Sequence, residues 1–161
     1  MFRTLLIVLL LSATSCSSTY YIVRHAEKEA PANVMTSDVP LSAAGKERAE
    51  ALKGELLGKN IRRIYSTNYI RTRETAQPLS GATGVAIETY DPRDSTILNR
   101  LKSLDKGHVL VVGHSNTVDD LVNGLTGKKL LQDLPDTQYG DLFVVKKRGK
   151  NYRYVLKHFG K

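Results

Sequence analysis

Apolar runs alternate with amphipathic segments along most of the chain, and this pattern predicts alternating strands and helices. The segment His108–Gly113, HVLVVG, is almost continuously apolar, which is typical of a strand in the middle of a parallel sheet. In chain order, the predicted strands are Tyr20–Arg24, Arg63–Ser66, Val85–Tyr90, His108–Gly113, Tyr139–Lys147 and Tyr152–His158, and the predicted helices are Ser42–Leu57, Ile70–Ser80, Ser95–Leu104 and Asn116–Leu125.

Local signals refine these elements. Ser42 is suited to cap the first helix, whose apolar residues share one face. Pro78 is expected to bend or end the second helix, and Arg148–Asn151 is expected to form a hairpin turn. The alternation of strands and helices predicts an α/β fold with a mostly parallel sheet, and the final hairpin should add an antiparallel edge. The order of the strands does not follow from the sequence.

Composition and charge narrow the possible partners. The chain has 161 residues, 41% of them hydrophobic and 25% charged, as expected for one soluble globular domain. A single cysteine excludes an internal disulfide framework. The formal net charge is +8, which favours anionic partners. The basic residues are scattered, and no run is long enough for a nucleic-acid-binding arm, so we expect no nucleic-acid partner.

The first 15 residues differ in kind from the rest. Thr4–Leu11, TLLIVLLL, is apolar, and small residues follow it up to Ser15. This run is too short to span a bilayer as a stable anchor but has the length of a signal-peptide core. One interpretation is a plain secretory signal that is cleaved near Ser15.

Cys16 favours a second interpretation of the same segment. The stretch resembles a bacterial lipoprotein lipobox, in which the cysteine becomes the lipidated first residue. Residues 1–15 would then be a lipoprotein signal peptide, residues 16–19 a short tether, and residues 20–161 the folded domain. We therefore expect the protein on the periplasmic side of a bacterial membrane, held through Cys16. The alternative is secretion to the periplasm without an anchor.

Polar side chains follow three of the predicted strands. Arg24 and His25 follow the first strand, Thr67 and Arg71 follow the second, and His114-Ser115-Asn116 follows the fourth. The carboxyl ends of parallel strands share one edge of a sheet, where ligands bind. We therefore expect these groups to converge in one crevice.

The chemistry of such a crevice suits phosphate. Two guanidinium groups could hold a phosphoryl group, and the backbone amides of Ser115 and Asn116 at a helix start would add donors. One imidazole could attack phosphorus while the other stabilises the charge of the transition state. Two arginines would repel a divalent cation, and the metal-binding spacing H-E-x-x-H does not occur. We expect neither a metal nor a cofactor.

Four segments carry a family resemblance. They resemble, in order, the motifs of the histidine phosphatase superfamily (the phosphoglycerate-mutase-like proteins), in its small single-domain phosphatase branch. The segments are Val23–Lys28 (the arginine motif), Leu41–Ala49 (the first-helix motif), Tyr65–Ala76 (the second-arginine segment) and Val111–Thr117. The resemblance implies a three-layer α/β/α sandwich and a phosphohistidine intermediate. It also implies roles for four residues: His25 as the nucleophile, Arg24 and Arg71 as holders of the phosphoryl group, and His114 as a phosphate ligand that stabilises the transition state.

The sequence departs from the family pattern at two points. Ala26 stands where the family has glycine after the histidine, which is tolerable if the backbone there does not need a positive φ. The usual glutamate motif for the proton donor is missing. A leaving alcohol needs a general acid, and we assign Asp91 to this role, with Glu27 as the alternative.

The expected activity is metal-independent phosphomonoester hydrolysis on an extracytoplasmic phosphorylated small molecule or glycan. The segment Arg24–Lys28 is similar to that of lipopolysaccharide-heptose phosphatases in this superfamily. No inserted segment supplies the extra basic groups of a mutase, and we expect no obligate protein partner. The rival hypothesis is a phosphate-ligand-binding module that has kept the fold and lost turnover.

Overall fold

The computed structural model describes residues 17–30 and 38–160. The predicted signal peptide and Cys16 lie outside the described residues. No helix in the described part of the chain has both the length and the apolar character needed to cross a membrane.

Six strands and four helices alternate through most of the chain, as predicted. The strands are β1 (Ser17–Arg24), β2 (Ile61–Thr67), β3 (Ile87–Tyr90), β4 (Gly107–Gly113), β5 (Asp141–Arg148) and β6 (Asn151–His158). The helices are α1 (Ala43–Leu56), α2 (Ile70–Thr83), α3 (Thr96–Lys102) and α4 (Val118–Thr126).

The strands form one sheet in the order β3-β2-β4-β1-β5-β6. The strands β1 to β4 are parallel, and β5 and β6 form an antiparallel hairpin on one side of β1. β1 therefore lies between parallel β4 and antiparallel β5, with Tyr21 paired to both Leu110 and Val144. The predicted α/β fold, its mostly parallel sheet and its antiparallel edge are confirmed.

Alternate residues of each strand enter two separate cores, one on each face of the sheet. Tyr20 and Ile22 of β1 pack in the core that contains residues of α3 and α4. Tyr21 and Val23 pack in the core that contains Leu52 of α1 and residues of α2. Each face is thus covered by two helices, which confirms the three-layer sandwich.

The start of the sheet differs from the prediction. β1 begins at Ser17, and Ser18 and Thr19 are buried, so the expected tether at residues 16–19 is wrong in the part that the structure describes. The Ser18 hydroxyl donates to the Leu104 carbonyl at 3.0 Å, and strand pairing satisfies the backbone. Polar residues can therefore belong to this strand because their hydrogen bonds are made inside the sheet.

Several helix boundaries also differ from the prediction, two of them instructively. α2 continues past Pro78 to Thr83 and ends at Gly84, whose φ of 70° suits glycine, so Pro78 does not end the helix. α4 begins at Val118, two residues after the predicted start at Asn116.

The start of α1 packs closely beneath the loop that follows β1. Ser42 caps the helix by accepting a hydrogen bond from the Gly45 amide, and its own amide donates to the Glu27 carbonyl at 2.9 Å. An ideal Cβ on Gly45 would lie 2.1 Å from that carbonyl oxygen. Leu41 is fully buried beside Ala26. The first-helix motif therefore fixes the backbone on which His25 is mounted.

We predict opposite effects for alanine at two glycines of α1. Gly45→Ala forces a methyl group against the Glu27 carbonyl and should lower the free energy of unfolding by about 1–3 kcal/mol, as overpacking does. Gly54→Ala meets nothing within 4 Å and should raise it by about 0.5–1 kcal/mol, because alanine favours helix. Urea unfolding of both variants measures this difference. Equal effects of the two variants would contradict the close packing at Gly45.

Candidate active site

A cavity of about 860 Å³ opens at the carboxyl ends of β1, β2 and β4. Its described lining contains most of the residues predicted to converge, and also the candidate proton donor Asp91: Arg24, His25, Arg71, Asp91, His114, Ser115 and Asn116. Thr67 does not line the cavity and instead hydrogen-bonds to His114. Glu27 is not among them. The strand order explains the convergence, because β4 lies between β1 and β2 and brings His114 between the residues that follow those two strands.

His25 is a buried and uncharged imidazole. The residue is 4% exposed, and Nδ1 lies 2.8 Å from the Ala26 carbonyl oxygen. Because a carbonyl only accepts, Nδ1 carries the hydrogen and Nε2 keeps its lone pair. Burial, and to a smaller extent the charge of Arg71, lower the pKa of His25 to about 3. His25 is therefore neutral near pH 7, in the form that can act as a nucleophile.

His114 is oriented by two polar neighbours. Arg71 Nη2 lies 3.4 Å from His114 Nδ1, and the Thr67 hydroxyl lies 2.9 Å from His114 Nε2. A guanidinium only donates, so Nδ1 accepts and the Nε2 hydrogen is donated to Thr67. The ring centroids of His25 and His114 are 5.5 Å apart in an edge-to-face arrangement. Burial, then the charges of Arg71 and Arg24, lower the pKa of His114 to about 4.

Arg24 is held by the loop that precedes β5. Its Nη1 donates to the Pro135 carbonyl at 2.7 Å, and its Nη2 lies 3.3 Å from the Asp136 carboxylate. The guanidinium also stacks over Tyr139, with Cζ 4.5 Å from the ring centroid. Arg24 is 8% exposed, and its Nε has no hydrogen-bond partner among the described residues. These contacts aim a buried cation at the cavity, and the sequence offered no motif that would identify the loop.

Arg71 is positioned from two sides. Its Cζ lies 4.6 Å from the centroid of the Tyr69 ring, and its Nη1 lies 4.0 Å from the Asp38 carboxylate. The same carboxylate accepts a hydrogen bond from the Ile70 amide at 2.7 Å. Asp38 therefore accepts a hydrogen bond from a backbone amide in the first turn of α2. The residue at the helix boundary, Tyr69, makes no side-chain hydrogen bond of this kind. No motif near Asp38 in the sequence indicates this contact, and the sequence analysis did not predict it.

Thr75 of α2 supports the backbone beside His25. Its hydroxyl accepts from the Ala26 amide at 3.0 Å and donates to the Arg71 carbonyl at 2.7 Å. One threonine thus links the two segments that carry the nucleophile and the second arginine. Ala26 itself needs no positive φ, since Asn60 is the only non-glycine residue with a positive φ in the described part of the chain. This explains why alanine is accommodated after His25.

The two candidate proton donors occupy different places. Glu27 accepts hydrogen bonds from Arg48 at 2.6 and 2.8 Å. Burial alone would raise the pKa of Glu27, but the hydrogen bonds from Arg48 outweigh it and the pKa is lowered. Asp91 faces the cavity, yet hydrogen bonds from Arg93 also lower its pKa. Glu27 therefore has a structural partner away from the cavity, and Asp91 is the better placed donor although it is ionised at rest.

Ser115 and Asn116 line the cavity within the turn before α4 rather than at the helix start. The Ser115 carbonyl accepts from the Leu134 amide at 3.0 Å, which ties this turn to the loop that holds Arg24. No group of three side chains suited to a metal ion occurs within residues 17–30 and 38–160. The assembled cations and imidazoles form a site for a small anion with a nucleophile at its floor.

A family model agrees with this geometry. The model of the histidine phosphatase superfamily (branch 1) matches residues 20–93, which carry β1, the first-helix motif and the second-arginine segment. No curated protein matches the chain in sequence.

Several solved structures share the fold over nearly their whole length. SixA from Agrobacterium tumefaciens is 23% identical with a TM-score of 0.66, and the alignment covers 89% of this chain and 97% of that one. The protein histidine phosphatase SixA complexed with tungstate is 18% identical with a TM-score of 0.70, over 87% and 96% of the two chains. A mycobacterial glucosyl-3-phosphoglycerate phosphatase is 13% identical with a TM-score of 0.65, over 88% and 98%. At these identities the likeness concerns the fold.

The lowered pKa values of His25 and His114 predict a loss of stability in acid. The unfolded chain binds protons on both histidines near the ordinary pKa of 6.5, whereas the folded chain binds them only near pH 3 and 4. The free energy of unfolding should therefore fall as the pH drops from 6.5 through 4 towards 3, because the unfolded chain takes up protons there that the folded chain does not. We expect the variant His25→Asn/His114→Asn to have a flatter dependence of the free energy of unfolding on pH over this range. Parallel curves for the variant and the wild type would contradict the lowered pKa values.

Proposed function

We propose that the chain, which matches the histidine phosphatase superfamily model over residues 20–93 and shares the fold of SixA, hydrolyses phosphomonoesters without a metal, through a phosphohistidine intermediate on His25. The observation that carries this proposal is the neutral, buried His25, which keeps a lone pair on Nε2 while two guanidiniums and a second imidazole line the same cavity. This arrangement supplies a nucleophile and the positive charge that stabilises a transferring phosphoryl group.

In the first step, the substrate phosphoryl group binds between Arg24 and Arg71. The Nε2 lone pair of His25 forms a bond to phosphorus, and the bond between phosphorus and the leaving oxygen breaks with its electron pair on that oxygen. The hydrogen bond from Nδ1 to the Ala26 carbonyl stabilises the positive charge that develops on the ring. The bound anion raises the pKa of His114, and the imidazole gains a proton. Its Nδ1–H then donates a hydrogen bond to a phosphoryl oxygen.

In the second step, water attacks phosphorus, one of its protons passes to the carboxylate that Asp91 has become, and the bond between phosphorus and nitrogen breaks with its electron pair returning to Nε2. Neutral His25 is restored and inorganic phosphate leaves. The arginines hold the phosphoryl group through both steps, so only the bonds along the line of attack need to change. An incoming phosphate competes with the Asp136 carboxylate for the Arg24 guanidinium, because both anions use the same donors.

Asp91 is the proposed source of the proton for a leaving alcohol. Its resting pKa is lowered by Arg93, so it must gain a proton when the anionic substrate binds beside it. Substrates with good leaving groups depend less on this step. The expected order of reactivity is therefore aryl phosphates before alkyl phosphates.

The natural substrate that we propose is an extracytoplasmic phosphorylated small molecule or glycan. The apolar run Thr4–Leu11 followed by Cys16 supports export and attachment to a bacterial membrane as a lipoprotein. The cavity, about 860 Å³ and polar in its lining, suits a hydrophilic phosphate ester.

A second candidate is a phosphate-binding module without turnover. The ion pairs of Glu27 with Arg48 and of Asp91 with Arg93 favour it, since each leaves a possible proton donor ionised. The two candidates differ in whether the phosphate ester is cleaved or only bound.

Hydrolysis of an aryl phosphate by the full chain in excess chelator separates these candidates. The wild type should be active, and His25→Ala should lower kcat/KM by a factor on the order of a thousand or more, since the nucleophile is lost. His108→Ala, at the amino end of β4 and outside this cavity, is the matched control and should keep wild-type activity.

Three outcomes would contradict the proposal. Loss of activity in chelator would assign the reaction to a metal, and full activity in His25→Ala would remove the phosphohistidine step. Binding of inorganic phosphate without turnover would support the binding module instead.

A further inference from the structure

A row that contains a lysine, an arginine and a histidine crosses the sheet at the end of the strands opposite the active site. Thr19 of β1 pairs with His108 of β4 and with Lys146 of β5, and Lys146 pairs with Arg153 of β6. Directly paired residues point to the same face of a sheet. These four side chains therefore form one line across four strands, and we call this line the basic row.

The basic row lines a second cavity, of about 1200 Å³, that is separate from the active site. Arg148, in the next register step, lies in its lining as well. The described residues that line this cavity include no aspartate or glutamate. Lys146 and Arg153 are exposed, and neither has an acidic partner within salt-bridge distance among the described residues.

Two cations directly opposite each other on one face destabilise a sheet. Lys146 and Arg153 are such a pair, and Arg148 adds a third cation beside them. The loops at this edge contribute Lys59, Lys106 and Lys150, with Asp105 as the acidic exception. The repulsion is relieved when an anionic surface covers the cluster.

The position of the basic row indicates which anionic surface this is. β1 begins at Ser17, opposite Arg148, so the apolar run Thr4–Leu11 and Cys16 immediately precede this edge in the chain. A short apolar segment or a single lipid chain binds membranes only marginally, and a basic patch is an effective second attraction.

We propose that the basic row docks the domain on an anionic phospholipid bilayer. β1 runs from this edge to Arg24, roughly 23 Å away at about 3.3 Å per residue. The active-site cavity opens at that far end, so it faces away from the docked bilayer and stays accessible to substrates. The docking is independent of the phosphatase reaction.

The test is co-sedimentation of the full chain with two kinds of vesicle. One is neutral phosphatidylcholine, and the other contains one phosphatidylglycerol for every two phosphatidylcholines. The readout is the ratio of the two partition coefficients, because the apolar N-terminal run can contribute to both. We expect a ratio of about ten or more for the wild type that falls towards one in high salt.

The variant Lys146→Gln/Arg153→Gln should lower this ratio by about tenfold while keeping aryl-phosphate hydrolysis, which reports a folded protein. The matched control is Lys46→Gln/Arg73→Gln, which removes the same charge from exposed positions near the starts of α1 and α2, and it should keep the wild-type ratio.

A wild-type ratio near one, or an unchanged ratio in Lys146→Gln/Arg153→Gln, would overturn the proposal. If the wild type shows no vesicle preference but binds duplex DNA, and this variant loses that binding, the surface is a nucleic-acid site and the membrane proposal is wrong. Hydrolysis is measured separately, so none of these results bears on the proposed reaction.

Discussion

The burial of an uncharged imidazole beside two guanidiniums is the constraint on which the site depends. Water would let His25 take up a proton near its ordinary pKa, and a protonated imidazole has no lone pair for attack. Burial and the charge of Arg71 prevent this. The cations that add to this effect are also suited to hold a phosphate, so in the proposed reaction the same groups would keep His25 neutral and bind the substrate. An anion bound in the cavity would then neutralise positive charge of Arg24 and Arg71.

Such a site needs a rigid backbone, and contacts from segments that are distant in sequence provide this rigidity. The loop after β1 is held from below by Ser42 and the close approach of Gly45, and from α2 by the Thr75 hydroxyl. Glu27 belongs to this framework through its pairing with Arg48. The arginine motif, the first-helix motif and the second-arginine segment are thus parts of one support rather than separate signatures.

Much of this architecture could be predicted from the sequence, because the informative signals are local. Apolar runs identified the strands, and Arg24, His25 and His114 stood out because each lies at the carboxyl end of a strand or directly after it. The strand order could not be predicted, since the backbone hydrogen bonds between strands leave no mark in the side chains.

The missed features share a physical cause. The contacts of Asp38, of Thr75 and of the loop that holds Arg24 join residues far apart in sequence. No feature of the neighbouring sequence indicates these contacts. Ser17–Thr19 was misassigned because polar residues form a strand when two neighbours satisfy their backbone. Pro78 does not end α2, which continues to Thr83 with Ala76 and Leu79 buried on either side of the proline.

The most direct measurement of the central claim is trapping of the intermediate. The full chain is mixed with an aryl phosphate, quenched in alkaline denaturant within one turnover, digested and examined by mass spectrometry. The account predicts one added phosphoryl group on the peptide that contains His25, stable in alkali and lost in acid as a phosphoramidate is, and absent from His25→Ala. A turnover-competent protein that carries no phosphoryl group on His25, or carries it on another residue, would contradict the account.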